Sequence, residues 1–222
     1  MAASTNSSPN PRGRDLRGQT VVVIGGSSGI GLETARLART SGADLILVAR
    51  DPDRLHRTGL ELAASIAAFD ATDSGRLSRF FAALPAAVDH VLVTGPGPCY
   101  TAPGGFGLAA ARGDVDAHLL LPLQVTRNAA GKVRPAGTLL FMGSAGGRRP
   151  AAGLALAAAL TAALPALVKA LALEVAPVRV NLIAAGSAGP ADIAALAVHL
   201  MTNSAITGAT VEVDDGQQLA DR

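Results

Sequence analysis

Seven short apolar runs alternate with segments of helical character along this chain of 222 residues. The runs are TVVVIGG, ADLILVAR, SIAAFD, VDHVLVTG, GTLLFMGS, VRVNLIAAG and ATVEVDD. Strands that are apolar on both faces must be covered on both faces, and parallel strands need a crossover such as a helix. The sequence therefore predicts an α/β fold: a doubly wound, seven-stranded parallel sheet with helices on both faces. Four of these helices are predicted at 29–41, 74–84, 114–132 and 191–202.

Length and composition fit one soluble domain. Residues 1–18 are rich in Ser, Asn, Pro and Arg, so we expect a flexible tail before a single dinucleotide-binding domain at 19–222. The formal net charge is only +2, which argues against a face that binds nucleic acid. A single cysteine, Cys99, excludes an internal disulfide framework. The N-terminus has no apolar signal segment, so we expect a cytoplasmic protein.

One stretch superficially satisfies the rule for a membrane span. Residues 151–168 include no charge and follow Arg148 and Arg149. The run is mostly alanine, which is weakly apolar, and it is interrupted by Thr161 and Pro165. We therefore expect a buried or subunit-facing helix rather than a transmembrane helix, and no membrane partner.

The first predicted strand runs into the glycine-rich stretch GGSSGIG (25–31) and then into a helix. Glycines allow a tight turn and a close backbone approach, and a helix N-terminus offers amides to a pyrophosphate. The spacing is G-x-x-x-G-x-G, and a plain strand-to-helix turn is the alternative. Arg50 ends the second strand, where a guanidinium favours the 2′-phosphate of NADP, although a solvated arginine remains possible there. Asp70 and TGPG (94–97) follow the third and fourth strands, at the sheet edge where ligands bind.

These motifs resemble the short-chain dehydrogenase/reductase family, with its Rossmann-like fold and NADP(H)-dependent oxidoreductase activity. The resemblance spans 19–219 and includes GGSSGIG, the aspartate of FDATD (69–73), ALALEVAPVRVN (170–181) and ITGATVEVDDG (206–216). It implies that the glycine loop lines the pyrophosphate and adenosine ribose, that Arg50 holds the 2′-phosphate, and that Asp70 with Ala71 meets adenine. The implied coenzyme-binding residues are Gly25, Ser27, Ser28, Gly29, Ile30, Gly31, Arg50, Asp70, Ala71, Gly95, Pro96, Gly97 and Gly186.

The resemblance also locates the family's catalytic positions. Relatives reduce carbonyls with an Asn, a Ser, and a Tyr and Lys spaced Y-x-x-x-K. Registering the chain on LALEVAPVRVN places Ala157 at the tyrosine position and Thr161 at the lysine position. Ser144, thirteen residues before Ala157, matches the serine and is the one predicted catalytic residue, whereas Asp116 falls at the asparagine position.

No shift of this register restores the missing pair, because the chain's only tyrosine is Tyr100 and its only lysines are Lys132 and Lys169. A ketone held by Ser144 and protonated by water, or by an acidic hydroxyl of its own, could still be reduced more slowly. A positioned general acid contributes roughly 10²- to 10⁴-fold, whereas holding the reactants in line supplies about 7 to 11 kcal/mol.

Other side chains could replace the missing proton donor, but each also has a simpler interpretation. Tyr100 could reach the nicotinamide region or be a solvated loop residue, and Cys99 beside it could be a nucleophile. His118 could move a proton or be a partly buried histidine. Arg148 and Arg149 could bind an acidic or aromatic substrate or be solvated. No His, Cys, Asp or Glu cluster has metal-ligand spacing, so no metal is expected.

The substrate lid of the family is nearly absent from this sequence. After IAAG (183–186), which has alanine for the proline of the family's Pro-Gly turn, the chain runs almost straight into the helix predicted at 191–202. This implies an open cleft, or one closed by a neighbouring subunit. Small residues along 151–172 suit close helix packing, and the family commonly pairs this helix across a two-fold axis, so we expect a homodimer or homotetramer.

Three functions remain open at this point. The first is an NADP(H)-dependent ketoreductase or dehydrogenase with a non-standard proton relay, acting on a carbonyl or alcohol of a small metabolite such as a cyclic one. The second is an NADP-binding protein that has lost its chemistry. The third uses the same pocket for a non-redox cyclisation or isomerisation.

Overall fold

The computed structural model describes residues 15–84, 87–95, 107–145 and 152–216. The strands in these ranges are β1 (Thr20–Ile24), β2 (Asp44–Ala49), β3 (Ser65–Ala68), β4 (Val88–Val93), β5 (Val133–Ser144), β6 (Arg179–Ala185) and β7 (Thr210–Val213). The helices are α1 (Gly29–Thr40), α2 (Pro52–Leu62), α3 (Ser74–Ala83), α4 (Leu108–Val115), α5 (Leu121–Ala129), α6 (Ala155–Glu174) and α7 (Pro190–Thr202). Each predicted strand is present, and the predicted α/β fold class is confirmed.

The strands form one parallel sheet in the order β3-β2-β1-β4-β5-β6-β7. The chain builds outwards from β1 to β3, then crosses back to place β4 on the other side of β1. The connections after β1 and β4 therefore leave in opposite directions and open a crevice at the carboxyl ends of these two strands. In sheets of this kind, ligands bind in that crevice.

The two faces of the sheet bury different apolar cores, as β1 shows by alternation. Val22 and Ile24 belong to the core that also contains buried residues of α3, α5 and α6. Val21 and Val23 belong to the core that contains buried residues of α1, α2 and α7. Since successive strand residues point to opposite faces, this uninterrupted apolar strand is covered on both sides.

The helix predicted at 114–132 is wrong at both ends, because α4 begins at Leu108 and α5 ends at Ala129. Between α4 and α5 lies a π-helical segment, Asp116–Leu120, in which the Leu121 amide donates to the Asp116 carbonyl. Pro122 follows immediately and has no N–H, so it cannot extend the α-helical ladder through this point. The other three bounded helices agree with the prediction to within one residue at each end.

The alanine-rich helix α6 is long and apolar enough to cross a membrane by length and composition alone. In the structure it covers the sheet, and Leu164, Val168 and Leu171 are buried in the core shared with α3 and α5. One face of α6 is therefore buried as predicted, and the subunit contact stays a prediction.

Candidate active site

The glycine loop after β1 is held tightly against both neighbouring strands. Gly25 has a φ of +91°, and the Gly25 and Gly26 amides donate to the Val48 carbonyl over 2.8 and 3.2 Å. A Cβ on Gly25 would overlap the Thr94 hydroxyl, and a Cβ on Gly31 would overlap the Gly25 carbonyl. Both positions therefore require glycine for a close backbone approach.

Thr94, the residue after β4, anchors this loop. Its hydroxyl donates to the carbonyls of Ile24 and Gly25 over 3.1 and 3.3 Å, and its amide donates to Ile24 over 2.8 Å. The sequence analysis placed Thr94 at the ligand-binding edge of the sheet as part of TGPG, but it did not predict that Thr94 anchors the glycine loop. The sequence did offer one signal for this role: Thr94 carries a hydroxyl directly after β4, the strand that pairs with β1.

No side-chain acceptor caps the backbone amides at the N-terminus of α1. Its N-cap residue Ser28 forms no side-chain cap hydrogen bond, and no acidic residue lies in the first turn. Asp51 caps α2 and Asp73 caps α3, each by accepting a backbone amide, whereas α4, α6 and α7 also begin without a side-chain cap. Gly29 has a φ of +53°, with open space where its Cβ would stand. This helix start therefore presents amides and a positive dipole end to an external anion.

The remaining predicted loop residues differ in exposure. Ser28 is exposed, whereas Ser27 is buried. Ile30 is half-buried and packs against the core under α1, so at least part of its side chain serves the fold.

Arg50 and Asp70 lie at neighbouring strand ends. Ala49 of β2 pairs with Ala68 of β3; Arg50 follows Ala49 directly, and Asp70 lies two residues after Ala68. Arg50 is exposed, and no described residue forms a hydrogen bond or ion pair with its guanidinium. Burial raises the pKa of Asp70, but hydrogen bonds from the Thr72 amide and hydroxyl (3.0 and 2.8 Å) and the charge of Arg50 together hold that pKa below its usual value. Ala71 is half-buried and packs against the core.

Gly95 and Gly186 also end strands of this edge. Gly95 is exposed, with open space where its Cβ would stand. Gly186 donates its amide to Val213 over 2.8 Å, and a Cβ there would lie 2.5 Å from the Asp214 Cβ. The connection from β6 to α7 is only 186–189, as the sequence predicts for a chain without a substrate lid.

Ser144 and Thr161 line one small cavity. Ser144 is the half-buried last residue of β5, and Thr161 is a half-buried residue of α6. The cavity has a volume of about 10 Å³ and is lined by Gly143, Ser144, Thr161, Leu164, Pro165, Leu182 and Ala184. Ala157 lies one helical turn before Thr161 and is 1% exposed. Sequence reasoning placed Thr161 at a catalytic position but did not expect its side chain to share a cavity with Ser144.

A match to the family model for short chain dehydrogenases covers residues 19–195. The chain belongs to the short-chain dehydrogenase family. Short-chain dehydrogenase/reductase ATR9 of Stachybotrys chlorohalonatus is 29% identical over 192 residues, covering 77% of this chain and 74% of that relative. The predicted family is thus confirmed, and with it an oxidoreductase ancestry and a nicotinamide coenzyme as the family's usual partner.

Solved structures agree with the fold. The MalC reductase/Diels-Alderase of Malbranchea aurantiaca superimposes with a TM-score of 0.87 at 22% identity, covering 95% of this chain and 100% of that one. BdcA, solved in complex with NADPH, superimposes with a TM-score of 0.83 at 24% identity, covering 91% and 95% of the two chains. At these identities the likeness concerns the fold alone.

Neither lysine of this chain lies next to Ser144. Lys132 lies just before β5, at the end of this strand opposite to Ser144, and its ammonium donates to the Ala82 carbonyl over 3.3 Å. Lys169 is an exposed residue of α6, two helical turns beyond Thr161. The amine that relatives use at this position has no counterpart among the described residues.

The π-helical segment carries the predicted Asp116 and the alternative proton carrier His118. Asp116 is exposed, and the segment contacts α6. His118 is half-buried, its Nε2 has no hydrogen-bond partner among the described residues, and burial lowers its pKa against the opposing charge of Asp114. The geometry does not bring His118 into the cavity beside Ser144.

Several predicted residues lie outside the described part of the chain. They are Pro96 and Gly97 of the coenzyme set, and Cys99, Tyr100, Arg148 and Arg149 among the alternatives. Among the described residues, no group of three or more His, Cys, Asp or Glu could hold a metal ion.

Proposed function

We propose that this short-chain dehydrogenase is an NADP(H)-dependent reductase of a small ketone, with a proton relay that uses neither a tyrosine nor a lysine of the usual kind. The observation that carries the proposal is the uncapped start of α1 beside a guanidinium with no partner among the described residues. A pyrophosphate needs the first feature, and a 2′-phosphate needs the second.

The described residues fit such a coenzyme. Gly25 and Gly31 leave no room for a side chain, so the loop backbone can approach a pyrophosphate closely. The amides at the start of α1 would hold that pyrophosphate, and Arg50 would hold the 2′-phosphate. Asp70, whose pKa lies below its usual value, would stay ionised and accept a hydrogen bond from the adenine amino group.

The residues at the catalytic positions would orient the ketone, but they do not include a general acid. When bound, NADPH supplies a hydride, and that chemistry belongs to the coenzyme. Ser144 would position the carbonyl oxygen of the ketone at the end of β5. Ala157 and Thr161, at the positions where relatives have tyrosine and lysine, offer no group that is acidic near neutral pH. A rate below that of a complete general-acid site is therefore expected.

The reductase activity can be tested by following NADPH oxidation with a panel of cyclic and linear ketones. We expect stoichiometric formation of alcohol by the wild type, and a faster rate for the double variant Ala157→Tyr with Thr161→Lys, since a general acid contributes roughly 10²- to 10⁴-fold. Circular dichroism checks that this variant folds, because Ala157 is buried. If the wild type reduces no ketone and only the double variant does, the chain is a coenzyme-binding protein without turnover.

Replacing Arg50 with methionine is expected to remove the preference for NADPH over NADH. A charge-assisted contact to a phosphate contributes about 1.5 to 3 kcal/mol, so the Kd for NADPH should rise about 10- to 100-fold while the Kd for NADH stays within about twofold. Fluorescence titration measures both constants. Arg57→Met is the matched control, since Arg57 is also exposed and lies on α2. Equal losses for both coenzymes would contradict a role at the 2′-phosphate.

A cyclisation in the same pocket is the second candidate function. The connection between β6 and α7 is only 186–189, which leaves the substrate side of the cleft without a lid from this segment. A structural neighbour is named as both a reductase and a Diels-Alderase. Product formation without NADPH oxidation would favour this alternative over reduction.

We also propose a homodimer or homotetramer built on the α4–α5 and α6 surfaces. Leu108, Leu120 and Leu123 are exposed on the first surface, at 66%, 37% and 39%, and Leu173 is 82% exposed on α6. Exposed apolar side chains on helices suit a subunit contact. The cytoplasmic location stays a prediction.

A further inference from the structure

Pro165 lies inside helix α6, where it changes the hydrogen bonding of one particular carbonyl. In an α-helix the amide of residue 165 would donate to the carbonyl of Thr161, but proline has no N–H. The Thr161 carbonyl has therefore lost its helical donor. Thr161, Leu164 and Pro165 all line the cavity beside Ser144. The missing helical hydrogen bond therefore lies on the face of α6 that borders this cavity.

The Thr161 hydroxyl is also unusual among the helical threonines of this chain. Thr34, Thr40, Thr58, Thr126 and Thr202 each donate a hydroxyl hydrogen bond to the carbonyl four residues earlier. Thr161 makes no such bond, and no described residue accepts from its hydroxyl. Its carbonyl and its hydroxyl are thus both available for a partner from outside the helix.

The cavity has the size and the polar groups that one water molecule needs. Its volume of about 10 Å³ is close to the minimum for a single water. A bound water needs two to four polar partners. The lining residues Ser144 and Thr161 bring two hydroxyls, and Thr161 also brings the carbonyl that Pro165 leaves without its helical donor. Leu164, Leu182 and Ala184 form the apolar remainder of the wall.

We propose that this cavity is a built water site, and that its water is the proton donor of the ketone reduction. The second half of this proposal rests on the proposed reductase function. When bound, NADPH would supply a hydride to the carbonyl carbon and become NADP⁺. As the π-electron pair of the C=O bond moves to oxygen, that oxygen would take a proton from the water. Solvent returns a proton to the remaining hydroxide. Thr161 and Pro165 are then positioning residues that act through the water.

Pro165→Ala restores the missing amide and tests the site directly. The restored N–H can donate to the Thr161 carbonyl and so competes with the water for one of its three polar contacts. High-resolution crystal structures of the wild type and the variant are the first readout. We expect ordered density within hydrogen-bonding distance of the Thr161 carbonyl and Ser144 Oγ in the wild type, and weaker or displaced density in Pro165→Ala. An unfilled wild-type cavity, or an unchanged water in the variant, would overturn the water site.

Turnover and stability are expected to move in opposite directions in this variant. Alanine is a far better helix former than proline, so the Tm should rise by several degrees. The rate of ketone reduction should fall at least about tenfold, with an altered solvent deuterium isotope effect and an unchanged Kd for NADPH. Thr161→Val should lower the rate in the same way. Pro52→Ala is the matched control, because Pro52 opens α2, where an added amide completes no helical bond.

The two proposals fail in different ways. A wild type that holds the water but reduces no ketone contradicts the reductase function and the relay, while the water site stands. A wild type that reduces ketones, with Pro165→Ala or Thr161→Val equally fast, contradicts the relay alone.

Discussion

Replacing Arg179 with methionine is expected to lower the free energy of unfolding by at least about 3 kcal/mol. Arg179 opens β6 and is 5% exposed. Its guanidinium donates to the carbonyls of Leu200, Met201 and Asn203 over 2.7, 2.7 and 2.8 Å, and its Nε donates to Ala136 over 3.1 Å. The last carbonyls of a helix have no intrahelical donor, so the variant would leave several carbonyls at the end of α7 buried and unsatisfied.

Urea denaturation followed by circular dichroism measures this loss. Arg127→Met is a suitable control, because Arg127 is an exposed residue of α5 with no hydrogen bond or ion pair among the described residues. Methionine preserves much of the side chain's length and apolar stem in both variants. If the two variants differ by less than about 0.5 kcal/mol, the guanidinium does not hold the end of α7 in the way described.

Acidification from pH 6.5 to about 4 is expected to destabilise the protein by about 3 kcal/mol through one histidine. His90 of β4 is 3% exposed, and burial, with a smaller contribution from the charge of Arg179, lowers its pKa from 6.5 to about 4. Its Nε2 lies 2.7 Å from the Gln19 amide oxygen, which only accepts, so Nε2 carries the hydrogen of a neutral ring. The folded chain therefore excludes a proton that the unfolded chain binds.

The sign of this pH dependence follows from the number of protons that the folded and unfolded states bind. Below pH 6.5 the unfolded state is protonated at this histidine and the folded state is not, so stability falls as the pH falls until about 4. Unfolding free energies measured across this range should lose most of their slope in His90→Gln. The half-buried His118, whose pKa burial also lowers, supplies a residual slope of the same sign. The exposed His56 gives the control variant His56→Gln, and an equal slope in both variants would refute the assignment to His90.

The strands and the coenzyme loop could be predicted from the sequence, because both depend on local patterns. Apolar runs such as TVVVI mark buried parallel strands, and glycines between a strand and a helix mark a close backbone approach. The row of buried polar side chains formed by His90, Thr138 and Arg179 was not predictable in this way. His90, Thr138 and Arg179 lie on neighbouring strands in register, and that register exists only after the sheet has formed.

Local sequence patterns also gave only part of the arrangement at the catalytic positions. Ala157 and Thr161 could be placed by their distance along the sequence from a recognisable segment. The cavity shared by Ser144 and Thr161 depends on how α6 lies against β5 and β6, which no local pattern specifies. The start of α4 at Leu108 was missed because no residue of α4 is buried, so no apolar face marks this helix in the sequence. The π-helical segment was missed because apolar periodicity does not distinguish it from an α-helix, although Pro122 follows it within two residues.

Calorimetric titration of the purified protein with NADPH and NADH tests the central claim most directly. The uncapped start of α1, with Arg50 at the neighbouring strand end, predicts saturable one-site binding of NADPH that is tighter than the binding of NADH. Tighter binding of NADH would contradict the assignment of Arg50. No measurable heat with either coenzyme at millimolar concentration would contradict the coenzyme site itself, and the proposed reductase function with it.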